Sequence, residues 1–156
     1  MPTPVETIST LHTKITDAAK GYEEAMTIGN HASVASLCAE LRQCHLAHAH
    51  ELAGLLLARG GRADGDGSFM SVVHKAALNV RFAISADETS LLPGLRDGEK
   101  RLLGAYDDTL RESEIDSSFS EEEIGTLDKQ RQLVVANIGK IDALQTSVAS
   151  ARQVPG

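Results

Sequence analysis

Several side chains with metal-binding or acid–base chemistry fall close together in the first half of the chain. His48 and Glu51 are three residues apart, and Cys44 and His45 precede them within one helical turn. Residues three or four apart share one face of a helix, so an imidazole and a carboxylate at this spacing can bind the same ion. With Glu99 from a later helix, His48 and Glu51 are candidate ligands for iron or another transition metal. A single ion held by His48 and Glu51 could be completed by His45 or by water.

These residues do not complete the ligand set of a dimetal carboxylate protein. Such bundles use a Glu from each of two helices and a Glu-x-x-His from each of the other two. The chain contains no Glu-x-x-His, and His48-x-x-Glu51 has the reverse order. Arg131 falls where the last helix would place a ligand, and its charge would repel a nearby metal. We therefore predict no competent dimetal centre and no ferroxidase activity.

The second interpretation of the same residues is structural, and it is the one that the sequence favours. Arg131 next to Glu51 or Glu99 would supply the positive charge that metals supply in a ferritin. Buried polar layers of this kind can fix the register of helices rather than add stability. The predicted layer consists of His48, Glu51, Glu99, Tyr106 and Arg131.

A thiol sensor and a calcium loop are the other candidate sites. Cys38 and Cys44 lie six residues apart in one predicted helix, an offset of about 600°, so they cannot pair within it. A sensor using Cys44 or Cys38 would need a cationic and accessible setting. Residues 64–68 resemble the start of a calcium loop, but its twelfth position is Lys75 rather than Glu, which excludes that site.

Apolar residues recur at spacings of three and four along the chain, which predicts four long helices. These helices would position the candidate site residues. Capping boxes at Thr3–Glu6, Ser85–Glu88 and Ser120–Glu123 predict helix starts, and Gly29-Asn30 separates the first two helices. Each long helix has a predicted stripe of residues that faces inward. In the first helix the stripe is Ile8, Leu11, Ile15, Ala18, Tyr22 and Ala25, and in the second it is Val34, Leu37, Leu41, Cys44, His48, Glu51, Leu55 and Ala58. In the third it is Leu92, Leu95, Glu99, Leu102, Tyr106 and Thr109, and in the fourth Ile124, Leu127, Arg131, Val134, Ile138, Ile141 and Val148.

The connection between the second and third long helices determines the topology. It contains a shorter predicted helix over about residues 69–84, and a connection of this length can cross the whole bundle. The third helix would then run parallel to the second, as in ferritin-like bundles with one crossover. We predict an all-α, ferritin-like four-helix bundle formed by residues 1–152, followed by a frayed tail at 153–156. Ala32, Ala39, Leu46 and Ala53 should be covered by the crossover helix or by a second chain.

Composition excludes several function classes for these 156 residues. The chain carries 15 basic and 22 acidic residues, a net charge of −7, so it is a poor general binder of nucleic acid or of anionic membranes. Its longest apolar run has seven residues, far fewer than a membrane span requires. Without a visible signal peptide, and with two unpaired cysteines, a cytoplasmic location is predicted.

Several local motifs resemble an uncharacterised bacterial ferritin-like family, known as a domain of unknown function. They are Gly21-Tyr22-Glu23-Glu24-Ala25, Gly60-Gly61 followed by Gly67-Ser68, His74-Lys75, and Asp97-Gly98-Glu99 with Tyr106. The resemblance covers about residues 5–115. This chain has Asp97 where the family typically has Arg, and Leu78 where it often has an aromatic residue. The resemblance implies a bundle akin to the dimetal-carboxylate proteins, but it supplies no activity.

The sequence as a whole predicts a non-enzymatic helical-bundle module. We expect a homo-oligomer, in the simplest case a dimer, or a complex with a protein partner. No cofactor is expected in this interpretation. The alternative is a metalloprotein that holds iron or another transition metal through the incomplete set of His48, Glu51 and Glu99.

Overall fold

The computed structural model describes residues 2–28, 32–60 and 88–153, and these form four α-helices with no strand among them. The predicted all-α class is therefore confirmed. The predicted Gly29-Asn30 turn and the crossover helix over 69–84 lie outside the described residues. The helices are α1 (Pro4–Ile28), α2 (Ala32–Ala58), α3 (Glu88–Ile115) and α4 (Glu121–Gln153).

Reciprocal capping boxes start two of the helices as the sequence predicts. At α1, the Thr3 amide donates to Glu6 Oε2 at 3.0 Å, and the Glu6 amide donates to Thr3 Oγ1 at 3.2 Å. At α4, Ser120 and Glu123 exchange the same two bonds at 2.7 and 3.1 Å. These bonds satisfy backbone donors that the first turn of a helix leaves without partners. The third predicted box, Ser85–Glu88, involves residues outside the described ranges.

Two apolar clusters show the direction in which each helix runs. One cluster joins the first half of α1, the second half of α2, the second half of α3 and the first half of α4. The other joins the opposite halves of all four helices. Helices α1 and α4 therefore run one way, and α2 and α3 run the other. The parallel arrangement of α2 and α3 is the one that the predicted one-crossover topology requires, and the connection itself lies outside the described residues.

Helices α1 and α3 present the predicted faces to the interior. All six predicted residues of the α3 stripe are buried, and in α1 only Ala18 is half-buried rather than buried. Residues with a spacing of three and four lie one above another on a helix, so each stripe forms a continuous contact surface. The two stripes bring Tyr22 of α1 and Glu99 of α3 into the middle of the bundle.

Helices α2 and α4 are rotated relative to the prediction. In α4 the buried residues are Glu123, Leu127, Gln130, Val134, Asn137 and Ile141. In α2 the buried series includes Val34, Cys38, Leu41, His45, His48, Leu52 and Leu56. One residue is about 100° of rotation, so the predicted stripes were wrong at Arg131 and at Glu51. Polar residues at buried positions broke the apolar pattern from which those stripes were predicted.

The outward side of α2 is open in the single chain. Leu46 is 37% exposed, Ala32 is exposed, and Ala39 and Ala53 are half-buried. A covering element, either the crossover helix or a second chain, therefore stays a prediction. Among the described helices none combines the length and the apolarity that crossing a membrane would require.

Candidate metal site

A layer of polar side chains lies between the two apolar clusters, and each of the four helices contributes to it. Tyr22, His45, His48, Glu99 and Gln130 are each less than 5% exposed. Burying polar groups is costly unless they are paired, so the partner of each polar atom in this layer matters.

Glu99 is the carboxylate at the centre of this layer. Its Oε1 accepts a hydrogen bond from the Tyr22 hydroxyl at 2.7 Å and lies 2.5 Å from His45 Nε2. Its Oε2 is buried and has no hydrogen-bond partner among the described residues. Burial, the charge of Glu99 and the hydrogen bond to Glu99 together raise the pKa of Tyr22 well above its usual value, so Tyr22 is a neutral donor.

His45 is oriented by Glu99 and Tyr22. Since a carboxylate only accepts, His45 Nε2 carries the hydrogen in its bond to Glu99. The ring stacks on Tyr22, with 5.8 Å between centroids and 21° between planes. The second nitrogen, Nδ1, is buried and has no partner in the described part of the chain. His45 therefore has one ring nitrogen held by Glu99 and a second that is buried without a partner among the described residues.

Cys44 and His48 complete a group of three potential ligands. Cys44 Sγ lies 3.7 Å from His48 Nε2, and one donor atom from each of Cys44, His45 and His48 can be chosen so that all lie within 4.8 Å. Burial and the neighbouring His45 lower the pKa of His48 to about 4, so its ring is neutral at physiological pH. Burial raises the pKa of Cys44, while Asn137 Nδ2 donates to its sulfur at 3.6 Å.

Gln130 links this group to α3 and α4. Its Oε1 accepts from the Tyr106 hydroxyl at 2.8 Å. Its Nε2 donates to the His48 carbonyl at 3.3 Å and to Glu51 Oε1 at 3.2 Å. Tyr106 is fully buried, and burial raises its pKa. The amide of Gln130 thus uses both its acceptor and its donor inside the bundle.

A family model described as "Domain of unknown function (DUF2383)" matches residues 3–112, which is more than half of the chain. The chain belongs to the DUF2383 family. This agrees with the predicted membership of an uncharacterised family, and the match includes Cys44, His45, His48, Glu99 and Tyr22. No curated protein and no solved structure matches the chain.

Two of the predicted site residues do not lie where the sequence placed them. Glu51 is exposed, and within the described ranges its hydrogen bond to the layer is the one from Gln130. Arg131 pairs with Asp107 at 2.5 Å, and the two side chains are 35% and 40% exposed. The predicted pairing of Arg131 with Glu51 or Glu99 is therefore wrong. Gln130, its neighbour in the sequence, occupies the inward position.

His45 and Tyr22 contribute more to the site than the sequence indicated. His45 is predicted from the sequence only as a possible extra ligand beside His48, and Tyr22 as an inward residue without a role. The series Cys38, Leu41, His45, His48 and Leu52 has helical spacing and could have shown that His45 faces inward.

Cys38 does not fit a thiol sensor. Its side chain is fully buried, and burial raises its pKa to about 11. The thiolate is the reactive form of cysteine, so little of it is present at physiological pH.

Proposed function

We propose that this protein binds a single transition-metal ion through Cys44, His45 and His48. The observation that supports this most directly is the environment of His45. One ring nitrogen is held by a carboxylate, and the other is buried without a partner among the described residues. Cys44 and His48 add a thiol and a second imidazole, each with a ligand atom within 4.8 Å of a His45 ring nitrogen. A buried ring nitrogen without a partner is costly, and coordination of a metal ion would satisfy it.

The Glu99–His45 pair has the arrangement that supports histidine ligands in metalloproteins. A ligating histidine usually donates its other N–H to a carboxylate or carbonyl, which fixes the tautomer and makes the ligand more basic. Here Glu99 accepts from Nε2 and leaves Nδ1 for the ion. Tyr22 in turn donates to the same carboxylate oxygen and fixes its position. In this proposal Glu99 orients a ligand, whereas the sequence suggested that it binds the metal itself.

The donor set favours a borderline or soft ion over one that prefers oxygen. One thiolate and two imidazoles suit Zn²⁺, Co²⁺ or copper, and zinc commonly takes three protein ligands with an open fourth position. In a tetrahedral site with bonds of about 2.0–2.3 Å, ligand atoms lie roughly 3.5 Å apart. The 3.7 Å between Cys44 Sγ and His48 Nε2 is already close to this separation. Binding would displace the Cys44 proton, because the thiolate is the ligand.

The position of Arg131 supports the proposal. As a neighbour of the layer it would repel a cation, but it forms an ion pair with Asp107 at the surface instead.

The same layer does not fit a pair of metal ions. Glu99 is the single acidic side chain among the described residues of the central layer, whereas a dimetal centre needs several carboxylates. The expectation of no ferroxidase activity stays a prediction.

Titration of untagged, metal-free protein with Co²⁺ tests this site. We expect one Co²⁺ per chain and a thiolate-to-cobalt charge-transfer band. Cys44→Ser should abolish the band, and His45→Gln and His48→Gln should each weaken binding strongly. Cys38→Ala and His50→Gln are matched controls on the same helix and should bind normally. A band that survives Cys44→Ser, or equal losses in the controls, would contradict the assignment.

A second candidate function is that of an oligomeric or partner-binding module, as the sequence favoured. The observation behind it is the open side of α2, where Leu46 is 37% and Leu57 is 67% exposed. Light scattering of the wild type and of Leu46→Glu measures this directly. We expect a dimer that the charged side chain weakens, and identical monomeric masses would contradict it.

A further inference from the structure

A cleft lies between α1 and α3, and Tyr22 and Glu99 of the polar layer are among its lining residues. Its volume is about 580 Å³, and it is lined by residues of these two helices. Gly21, Gly94 and Gly98 are among them. A Cβ atom built at Gly98 would meet no other atom within 4 Å.

Two buried carboxyl groups line this cleft, and each has an oxygen without a partner among the described residues. Asp17 is 8% exposed and Glu99 is 1% exposed. The two unpaired oxygens are Asp17 Oδ1 and Glu99 Oε2. Burial raises the pKa of Asp17 to about 6. Buried carboxylate oxygens are normally paired, so these two require donors from elsewhere.

The charge of the cleft indicates the kind of donor. Lys14, Asp97 and Arg101 also line the cleft, but all three are exposed to solvent. The buried carboxyl groups are those of Asp17 and Glu99, and a positively charged donor suits such groups.

The walls of the cleft limit the ligand further. A bare divalent ion needs about six oxygen ligands and fills only a small part of this volume. Leu91, Leu95, Leu102 and Ala18 supply apolar walls that a metal ion would not use.

We propose that this cleft binds a primary ammonium compound with an apolar body, whose N–H groups donate to Asp17 and Glu99. The ammonium group offers three donors, so it can donate to more than one carboxyl group. The apolar body would lie against the leucine side chains. The proposal does not depend on a bound metal, although Glu99 contacts both places.

Binding of n-hexylammonium to the metal-free protein tests the proposal, with hexan-1-ol as the uncharged control. We expect saturable shifts of the Gly21 and Gly98 amide resonances with the amine, and at least about tenfold weaker binding of the alcohol, since charge-assisted bonds are lost. Asp17→Asn should weaken amine binding by about tenfold for the same reason.

Filling the cleft gives a second, independent variant. Gly98→Leu should abolish amine binding, and it should fold because the added side chain enters open space and replaces a poor helix former. Gly104→Leu is the matched control, since its Cβ also meets nothing within 4 Å and Gly104 does not line the cleft. It should bind as the wild type does.

Three results would overturn the proposal: no binding of the amine, equal binding of the alcohol, or full binding by Gly98→Leu. Displacement of the amine by Mg²⁺ at equal concentration would also overturn it in favour of an ion site. Cys44→Ser should keep its amine binding, so failure of the metal site and failure of this site can be told apart.

Discussion

Replacing Gln130 and Arg131 separately tests which of these neighbours faces the interior. Gln130 is 1% exposed and bonds to Tyr106, to Glu51 and to the His48 carbonyl. Gln130→Ala strands the buried Tyr106 hydroxyl, which costs about 1–3 kcal/mol. A residual cavity of roughly 50 Å³ adds about 1 kcal/mol at ~24 cal/mol per Å³. The better helix propensity of Ala returns a few tenths of a kcal/mol. We therefore expect a loss of about 2–4 kcal/mol in the free energy of unfolding.

Arg131→Ala is the matched control, because it removes only an ion pair that lies at the surface. Such pairs contribute little, so the urea midpoint should stay within experimental error. Adding Tyr106→Phe to Gln130→Ala should recover about 1 kcal/mol, since the stranded hydroxyl is gone. Urea unfolding followed by circular dichroism measures all three variants. If Arg131→Ala costs as much as Gln130→Ala, or if Gln130→Ala is neutral, Gln130 does not face the interior and the assigned register of α4 is wrong.

Three further predictions concern charge and metal. Glu99→Gln removes the carboxylate that orients His45, so it should weaken Co²⁺ binding by about 10–100-fold. Competition with a chelator measures the affinity, and an unchanged value would contradict that role of Glu99. The raised pKa of Asp17, about 6, means that its proton is held more tightly in the folded state, so stability falls as pH rises from about 4 to above 6. Asp17→Asn should therefore stabilise the protein against urea at pH 7.5 and make no difference at pH 4, and the opposite pH order would refute the sign. Apo-protein in air should oxidise Fe²⁺ no faster than buffer does, and two irons bound and oxidised per chain would overturn that expectation.

How much the sequence predicted depends on how clearly each helix separates apolar from polar residues. The α3 stripe from Leu92 to Thr109 is predicted correctly at every position. The opposite side of α3 is charged, so only one side of this helix can face the interior. In α4 two series compete with the same seven-residue spacing. Ile124, Arg131 and Ile138 look more apolar than Glu123, Gln130 and Asn137, yet the second series is buried.

Helix α2 fails for a related reason. It is apolar on more than one side, so its inward direction is poorly defined by the pattern alone. The structure places His45 and Leu52 inside and leaves Glu51 exposed. The buried polar residues of α2 and α4 belong to the same layer. The positions that the apolar pattern predicts worst are thus the positions that form the candidate site, as expected where function competes with packing.

The charge of the layer argues for one metal ion rather than two. Within the described residues, the layer contains the Glu99 carboxylate, the Cys44 thiol, two imidazoles and uncharged hydroxyl and amide groups. A dication with a Cys44 thiolate and an ionised Glu99 gives a neutral layer, so the buried charges offset one another. A second dication would leave two uncompensated positive charges between the apolar clusters, where their interaction is poorly screened. Arg131 inside the layer would have added one more positive charge. It lies at the surface beside Asp107 instead, so the negative charges of the layer match those of one metal ion.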